Sequence, residues 1–170
     1  MKIILLCSGG LPHCVTGIFG TMPYEIIKIP KCGSLSPEVE SHPDMLFSVL
    51  DDKHIITDKK YFELNKEFFD RLSEKGIRVS VSERSLSPKY PLDILFDAIK
   101  TKEILVGNLK FTAPELLLDG VKAVNVNQGY ALCSTLLMDG AVVCADAGIC
   151  KAMAENGYDV LMISAGNIVL

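Results

Sequence analysis

No apolar run in this chain reaches the roughly 18–20 residues that a membrane-crossing helix requires. The opening MKIILLCSGG has one lysine and a short apolar stretch. That is too brief for a secretory signal and reads as a buried strand. There is no basic excess either: 17 Lys and Arg stand against 21 Asp and Glu, for a net charge of −4 and a pI of 5.4. A nucleic-acid or anionic-membrane surface is therefore not expected. Six cysteines occur, at positions 7, 14, 32, 133, 144 and 150, and none forms a Cys-x-x-Cys pair. Zinc and dithiol redox motifs are thus unsupported, and neither a metal nor a cofactor is expected. With no export signal, free thiols in a reducing cytosol are the expected state. Low-complexity tracts and domain linkers are missing too, so residues 1–170 read as a single domain.

What is present is an internal repeat. Residues 42–58 (HPDMLFSVLDDKHIITD) align without a gap on residues 91–107 (PLDILFDAIKTKEILVG). Asp44 falls on Asp93, Phe47 on Phe96, Lys53 on Lys102 and Ile55 on Ile104. A third copy, alike in pattern, begins near Leu132 and contains the turn Asp139-Gly140, which favours a type I′ hairpin. Repeats of roughly 40 residues build propellers, solenoids or arrays.

Each copy reads as strand, strand, helix, strand. In the first, Met45–Leu50 and His54–Thr57 are strands, residues 61–75 have helical spacing, Gly76 ends the helix, and Ile77–Val81 alternates. In the second, Ile94–Ile99 and Ile104–Val106 form the hairpin, Thr112-Ala-Pro-Glu115 fits a capping box, and Val121–Val126 returns. In the third, Leu132–Met138 and Ala141–Ala145 precede a helix over 147–155 and a strand at Val160–Ile163. Ahead of these lies a partial unit, with strands at Lys2–Cys7 and Tyr24–Ile29 and a short helix over 13–21. Gly166–Leu170 looks like the first strand of a further copy. The chain is accordingly expected to be incomplete, truncated at its C-terminus.

Equivalent positions of each copy converge when such units surround an axis. That puts Asp44, Asp93 and Leu132 at one level, with Asn167 holding the place in the incipient copy. Two carboxylates there would attract a guanidinium or amine. His42 precedes Asp44 by two, so an extended backbone would turn both to one face, where the imidazole could act as acid and base. Cys133 lies one position past the Asp44 column, and alternation turns it away from that face; it is the fallback nucleophile. Cys144 and Cys150 read as small core residues, and His13 and His54 as surface residues.

His-x-Asp at the head of such a repeat, followed by an apolar strand and a charged turn, resembles the guanidine-group-modifying enzymes, or pentein superfamily. More narrowly, Ser41-His-Pro-Asp-Met45, Gln128-Gly-Tyr-Ala-Leu-Cys-Ser134 and Ser164-Ala-Gly-Asn167 look like a clostridial-type branch of that fold. The resemblance implies an α/β propeller, a five-fold ring of ββαβ units around a central site. Here about three full units would lie between a partial first and an incipient last. It also implies a histidine acid/base, carboxylates that hold the substrate guanidinium, and a cysteine that attacks the guanidinium carbon. Only the His-x-Asp match carries over, to His42 and Asp44. The family's cysteine lies in a Gly-rich stretch after the fifth unit, and nothing here matches it.

The function expected is therefore that of a guanidine or amidine hydrolase, or an amidinotransferase, taking a small cationic ligand. The alternative is a non-catalytic pentein that binds a protein partner. A third reading is nucleotide binding at Ser8-Gly9-Gly10, which resembles pyrophosphatase-type ATP loops but has Pro12-His13 where Asp-Ser should follow. A ring could close within one chain or between copies, so a homo-oligomer is among the expectations.

Overall fold

The computed structural model describes residues 3–19 and 22–164. Asn167 and the strand expected at Gly166–Leu170 lie outside the described residues. The chain opens with β1 (Ile3–Cys7), α1 (His13–Phe19) and β2 (Tyr24–Lys28), the two strands pairing in parallel. After a connector come α2 (Pro43–Leu46), β3 (Phe47–Asp51), β4 (His54–Asp58), α3 (Lys59–Leu64), α4 (Lys66–Glu74) and β5 (Arg78–Ser82). The next unit holds β6 (Ile99–Lys100), β7 (Ile104–Gly107), a 3-10 turn at Pro114–Leu116 and β8 (Lys122–Asn125). The last holds β9 (Thr135–Met138), β10 (Ala141–Cys144), α5 (Ala147–Glu155) and β11 (Asp159–Met162).

Three separate three-stranded sheets result, and all have one connectivity. In each, the first strand runs antiparallel to the second, and the second parallel to the third. The helix or 3-10 turn lies between second and third strands, as a parallel crossover requires. Among the described residues no helix is long and apolar enough to cross a membrane.

Several local expectations are corrected. The leading strands start later than alternation suggested. Pro43 occupies the first helical turn, where its fixed φ suits a helix, so Met45 and Leu46 are helical rather than extended. Residues 93–99 are buried without alternation and run through bends, with Ala113 N donating to Leu95 O at 2.8 Å; the strand there is only Ile99–Lys100. The helix over 61–75 breaks at Asn65, whose side chain donates to Tyr61 O at 2.9 Å. The capping box fails because Glu115 turns away to accept from Glu83 N at 2.7 Å. Thr112 Oγ1 donates to Asn108 O at 3.0 Å instead. No non-glycine residue among those described has positive φ, so the Asp139-Gly140 hairpin, with φ +73° at Gly140 alone, is not type I′. His54 is half-buried, and its Nε2 shares a 2.7 Å hydrogen bond with Ser80 Oγ.

Two apolar clusters fill the molecule. The first gathers Met45, Leu46, Phe47, Phe69, Leu95, Phe96 and Leu105. The second gathers Ile99, Ile104, Val106, Ala131, Val142 and Ile149. Sheet β6–β8 belongs to both: Leu105 faces the first cluster, and its neighbours Ile104 and Val106 face the second. That is the alternation of a strand buried on both sides.

Candidate functional site

The segments that lead into β3, β6 and β9 meet at one place, though not in the columns that the gapless alignment assigned. Phe47 pairs with Thr57, and Ile99 pairs with Val106. Thr57 and Val106 share a column, so Ile99 rather than Phe96 stands where Phe47 does. The leading segment has slipped by three residues. Asp44 thus has Phe96 as its counterpart, and Asp97 stands one position past that column, next to the place expected of Asp93. In the third copy Thr135 pairs with Cys144, and counting back from it puts Leu132 opposite Asp44 and Cys133 opposite Asp97.

Short hydrogen bonds fix this arrangement. His42 is the residue before the Pro43–Leu46 turn, with extended backbone at φ −83° and ψ 120°. Asp44 lies in the first turn itself, where a carboxylate is favoured by the helix end. Asp97 Oδ1 accepts from Leu132 N at 2.6 Å and Cys133 N at 3.3 Å, so the cysteine loop hangs from this side chain. The Cys133 thiol donates to Asp44 Oδ2 at 2.6 Å. Ligand-capable atoms of His42, Asp44 and Cys133 all lie within 4.8 Å of one another. The His42 and Asp44 side chains lie close together, with His42 on extended backbone and Asp44 in a helical turn, not both on the pleated strand that was expected. Cys133 does not point away: the 131–134 stretch is a turn, so strand alternation does not govern it.

Asp93 is not in this cluster. It is buried, its Oδ2 accepts from Tyr130 O–H at 2.6 Å, and its Oδ1 has no partner. Burial, then the bond to Asp93, pushes the Tyr130 hydroxyl well above the usual phenol range. Asp97 is only 1% exposed, and its Oδ2 is also unpartnered. Burial is the largest cause that lifts its carboxyl to about 6; the nearby Asp44 charge adds to it, and hydrogen bonds from Cys133 and Leu132 oppose it. Cys133 is exposed as a residue, yet its thiol is pushed above the ordinary thiol range, first by partial desolvation of the sulfur, then by the charges of Asp97 and Asp44. Sequence reasoning missed Asp97 and Tyr130. A lone carboxylate inside the apolar run Ile94–Ile99 was the available signal for the first.

A cavity of about 740 Å³ adjoins the cluster, with Pro43, Asp44 and Leu132 in its wall and β1 and β3 along its length. Its lining is mainly apolar. Lys100 also faces it, with Nζ donating to Val49 O and Leu50 O. Burial holds that lysine below its usual range. At the other nominated loop, Ser8 Oγ bonds Ser41 Oγ at 2.8 Å and accepts from Gly10 N at 3.2 Å. One of the amides that a phosphate would use is therefore already engaged.

A family model described as a family of unknown function, DUF6873, matches residues 7–170. The chain belongs to the DUF6873 family. Among curated proteins none matches the sequence. Solved structures do resemble this DUF6873 chain. One is dimethylarginine dimethylaminohydrolase as an adduct with 4-chloro-2-hydroxymethylpyridine, 16% identical, with a TM-score of 0.55, covering 95% of this chain and 65% of that one. Another is a histidine-to-glycine variant of that enzyme as an adduct with S-methyl-L-thiocitrulline, 14% identical, with a TM-score of 0.54, covering 88% and 58%. The DUF6873 chain thus spans about 65% and 58% of the length of these neighbours. Identities this low show the fold alone: a mixed α/β fold like that of dimethylarginine dimethylaminohydrolase.

Proposed function

We propose that this DUF6873 chain carries a cysteine-centred site for guanidines or amidines, with Cys133 as nucleophile, His42 as acid and base, and Asp44 and Asp97 as the carboxylates that receive the cation. The observation that carries the reading is the 2.6 Å contact between the Cys133 thiol and Asp44, with His42 in the same cluster. Its place in the fold would be the centre of a pentein-type ring of ββαβ units.

Two anions beside the thiol keep it protonated and unreactive, because thiolate formation would add a third negative charge. A guanidinium bound to the carboxylates removes that obstacle, and the proton passes to His42. The thiolate then attacks the guanidinium carbon, a carbon–sulfur bond forms, and the carbon–nitrogen bond breaks. The amine leaves with the proton from His42. Water attacks the resulting thiouronium carbon, releasing the thiol and a urea, with one proton going to solvent. The apolar cavity beside Asp44 suits an alkyl body on the substrate.

A non-catalytic binding role is favoured by the resting thiol, which is held far from its reactive form. The two readings part in one experiment. The full chain, with a chelator present, is incubated with a chloroacetamidine-type cysteine probe, and adducts are mapped by mass spectrometry. A single adduct on Cys133 is expected, slowed at least about tenfold by His42→Ala. Labelling no faster than that of exposed Cys14 would sink the catalytic reading.

A further inference from the structure

We infer that His42, Asp44 and Cys133 together form a binding site for one thiophilic divalent cation of the zinc class. This goes beyond the proposed function and uses the same three side chains for a different ligand.

The donor set is the first argument. An imidazole nitrogen, a carboxylate oxygen and a thiol sulfur lie within 4.8 Å of one another. Ligand atoms around a tetrahedral zinc ion stand roughly 3–4 Å apart, given bonds of about 2.0–2.3 Å. The widest separation needs to close by about an ångström, and the 2.6 Å thiol–carboxylate contact needs to open by a similar amount. Mixed nitrogen, oxygen and sulfur ligation suits zinc and cobalt rather than magnesium or calcium, which take oxygen alone.

The second argument is independent of the cluster. Asp97 is 1% exposed, and its Oδ2 has no hydrogen-bond partner. A buried carboxylate oxygen without a donor asks for positive charge nearby. Its other oxygen already fixes the Leu132 and Cys133 amides, so the sulfur is held in place before any ion arrives.

Binding replaces a proton by the ion. The Cys133 S–H bond breaks, the proton goes to solvent, and a metal–sulfur bond forms with no change of oxidation state. The thiolate and the Asp44 carboxylate neutralise the two positive charges, while His42 binds as the neutral imidazole. An ion held there occupies the sulfur that the proposed chemistry needs, so metal and amidine reagents compete.

The test uses the full chain titrated with zinc by calorimetry and with cobalt by absorption. One equivalent is expected, with a sulfur-to-cobalt charge-transfer band and about one proton released per ion, read from buffers of different ionisation enthalpy. Cys133→Ser is expected to abolish the band and weaken zinc binding by about 100-fold or more, and Asp44→Asn and His42→Ala by at least about tenfold. Circular dichroism checks that each variant is folded; where one is not, the other two carry the comparison. No saturable binding, or binding unchanged by Cys133→Ser, overturns the site. Cobalt binding with no amidine adduct leaves the metal site standing and removes the catalytic reading; an adduct in chelator without metal binding does the reverse.

Discussion

Asp97 does two jobs with two oxygens, and the jobs separate on mutation. Asparagine keeps an acceptor for the Leu132 and Cys133 amides and removes the charge that burdens the thiol. Asp97→Asn is therefore expected to raise alkylation of Cys133 by neutral iodoacetamide at pH 8 by about tenfold, the effect of roughly one pH unit on the thiol. Its stability consequence has a definite sign. The carboxyl titrates at about 6 when folded against 3.8 ordinarily, so the folded chain binds the extra proton between those values. The contribution is fully present below about pH 4, is lost as pH rises through about 6, and is then constant, about 3 kcal/mol in all. Urea midpoints measured from pH 4 to 8 should show wild type losing ground to Asp97→Asn across that interval. A constant difference would mean that Asp97 is ionised throughout.

At the scale of elements, Asp58 shows how one side chain ties a strand, a helix and a loop together. It ends β4, caps α3 by accepting from Tyr61 N at 2.8 Å, and accepts from the buried Leu86 N at 3.0 Å. Asp58→Ala leaves two amides without partners and is expected to cost about 3 kcal/mol. Asp58→Asn should recover a large part of this, as read from urea midpoints. Elements of this kind were legible where chemistry is local. Helix 147–155 was readable with its stop at Asn156-Gly157, where Gly157 has φ +85°; the structure adds the cap Asp146. The strand, strand, helix, strand order was readable from the repeated apolar pattern. The leading segments were not, because Pro43 and the buried bends of 93–98 replace the pleat on which alternation depends. The same failure hid half of the site. His42 and Asp44 were visible two residues apart, whereas Cys133 reaches Asp44 across 89 positions. Asp97 was hidden by a three-residue slip that no gapless alignment can register.

Seen as a whole molecule, the site lies on the seam between the two apolar clusters. Asp44 adjoins Met45 of the first cluster, Cys133 lies close to Ala131 of the second, and Asp97 falls between Phe96 of one and Ile99 of the other. The relative position of thiol and carboxylate therefore depends on how firmly the clusters are joined, and sheet β6–β8 is the joint. Its central strand β7 is buried on both faces and cannot lose support on one side without exposing apolar surface on the other. Ile149→Ala, in α5 of the second cluster, removes a side chain that is 0% exposed and is expected to cost about 3 kcal/mol. If the joint is firm, urea unfolding of this variant remains one transition, with coincident midpoints by circular dichroism and by emission of the tyrosines, which include Tyr61 in the first cluster and Tyr158 against the second. Two separated midpoints would show that the halves melt independently. In that case Ile149→Ala would also free Cys133 from Asp44 well before Asp44 itself unfolds, and iodoacetamide labelling at intermediate urea would rise in step with the first transition alone.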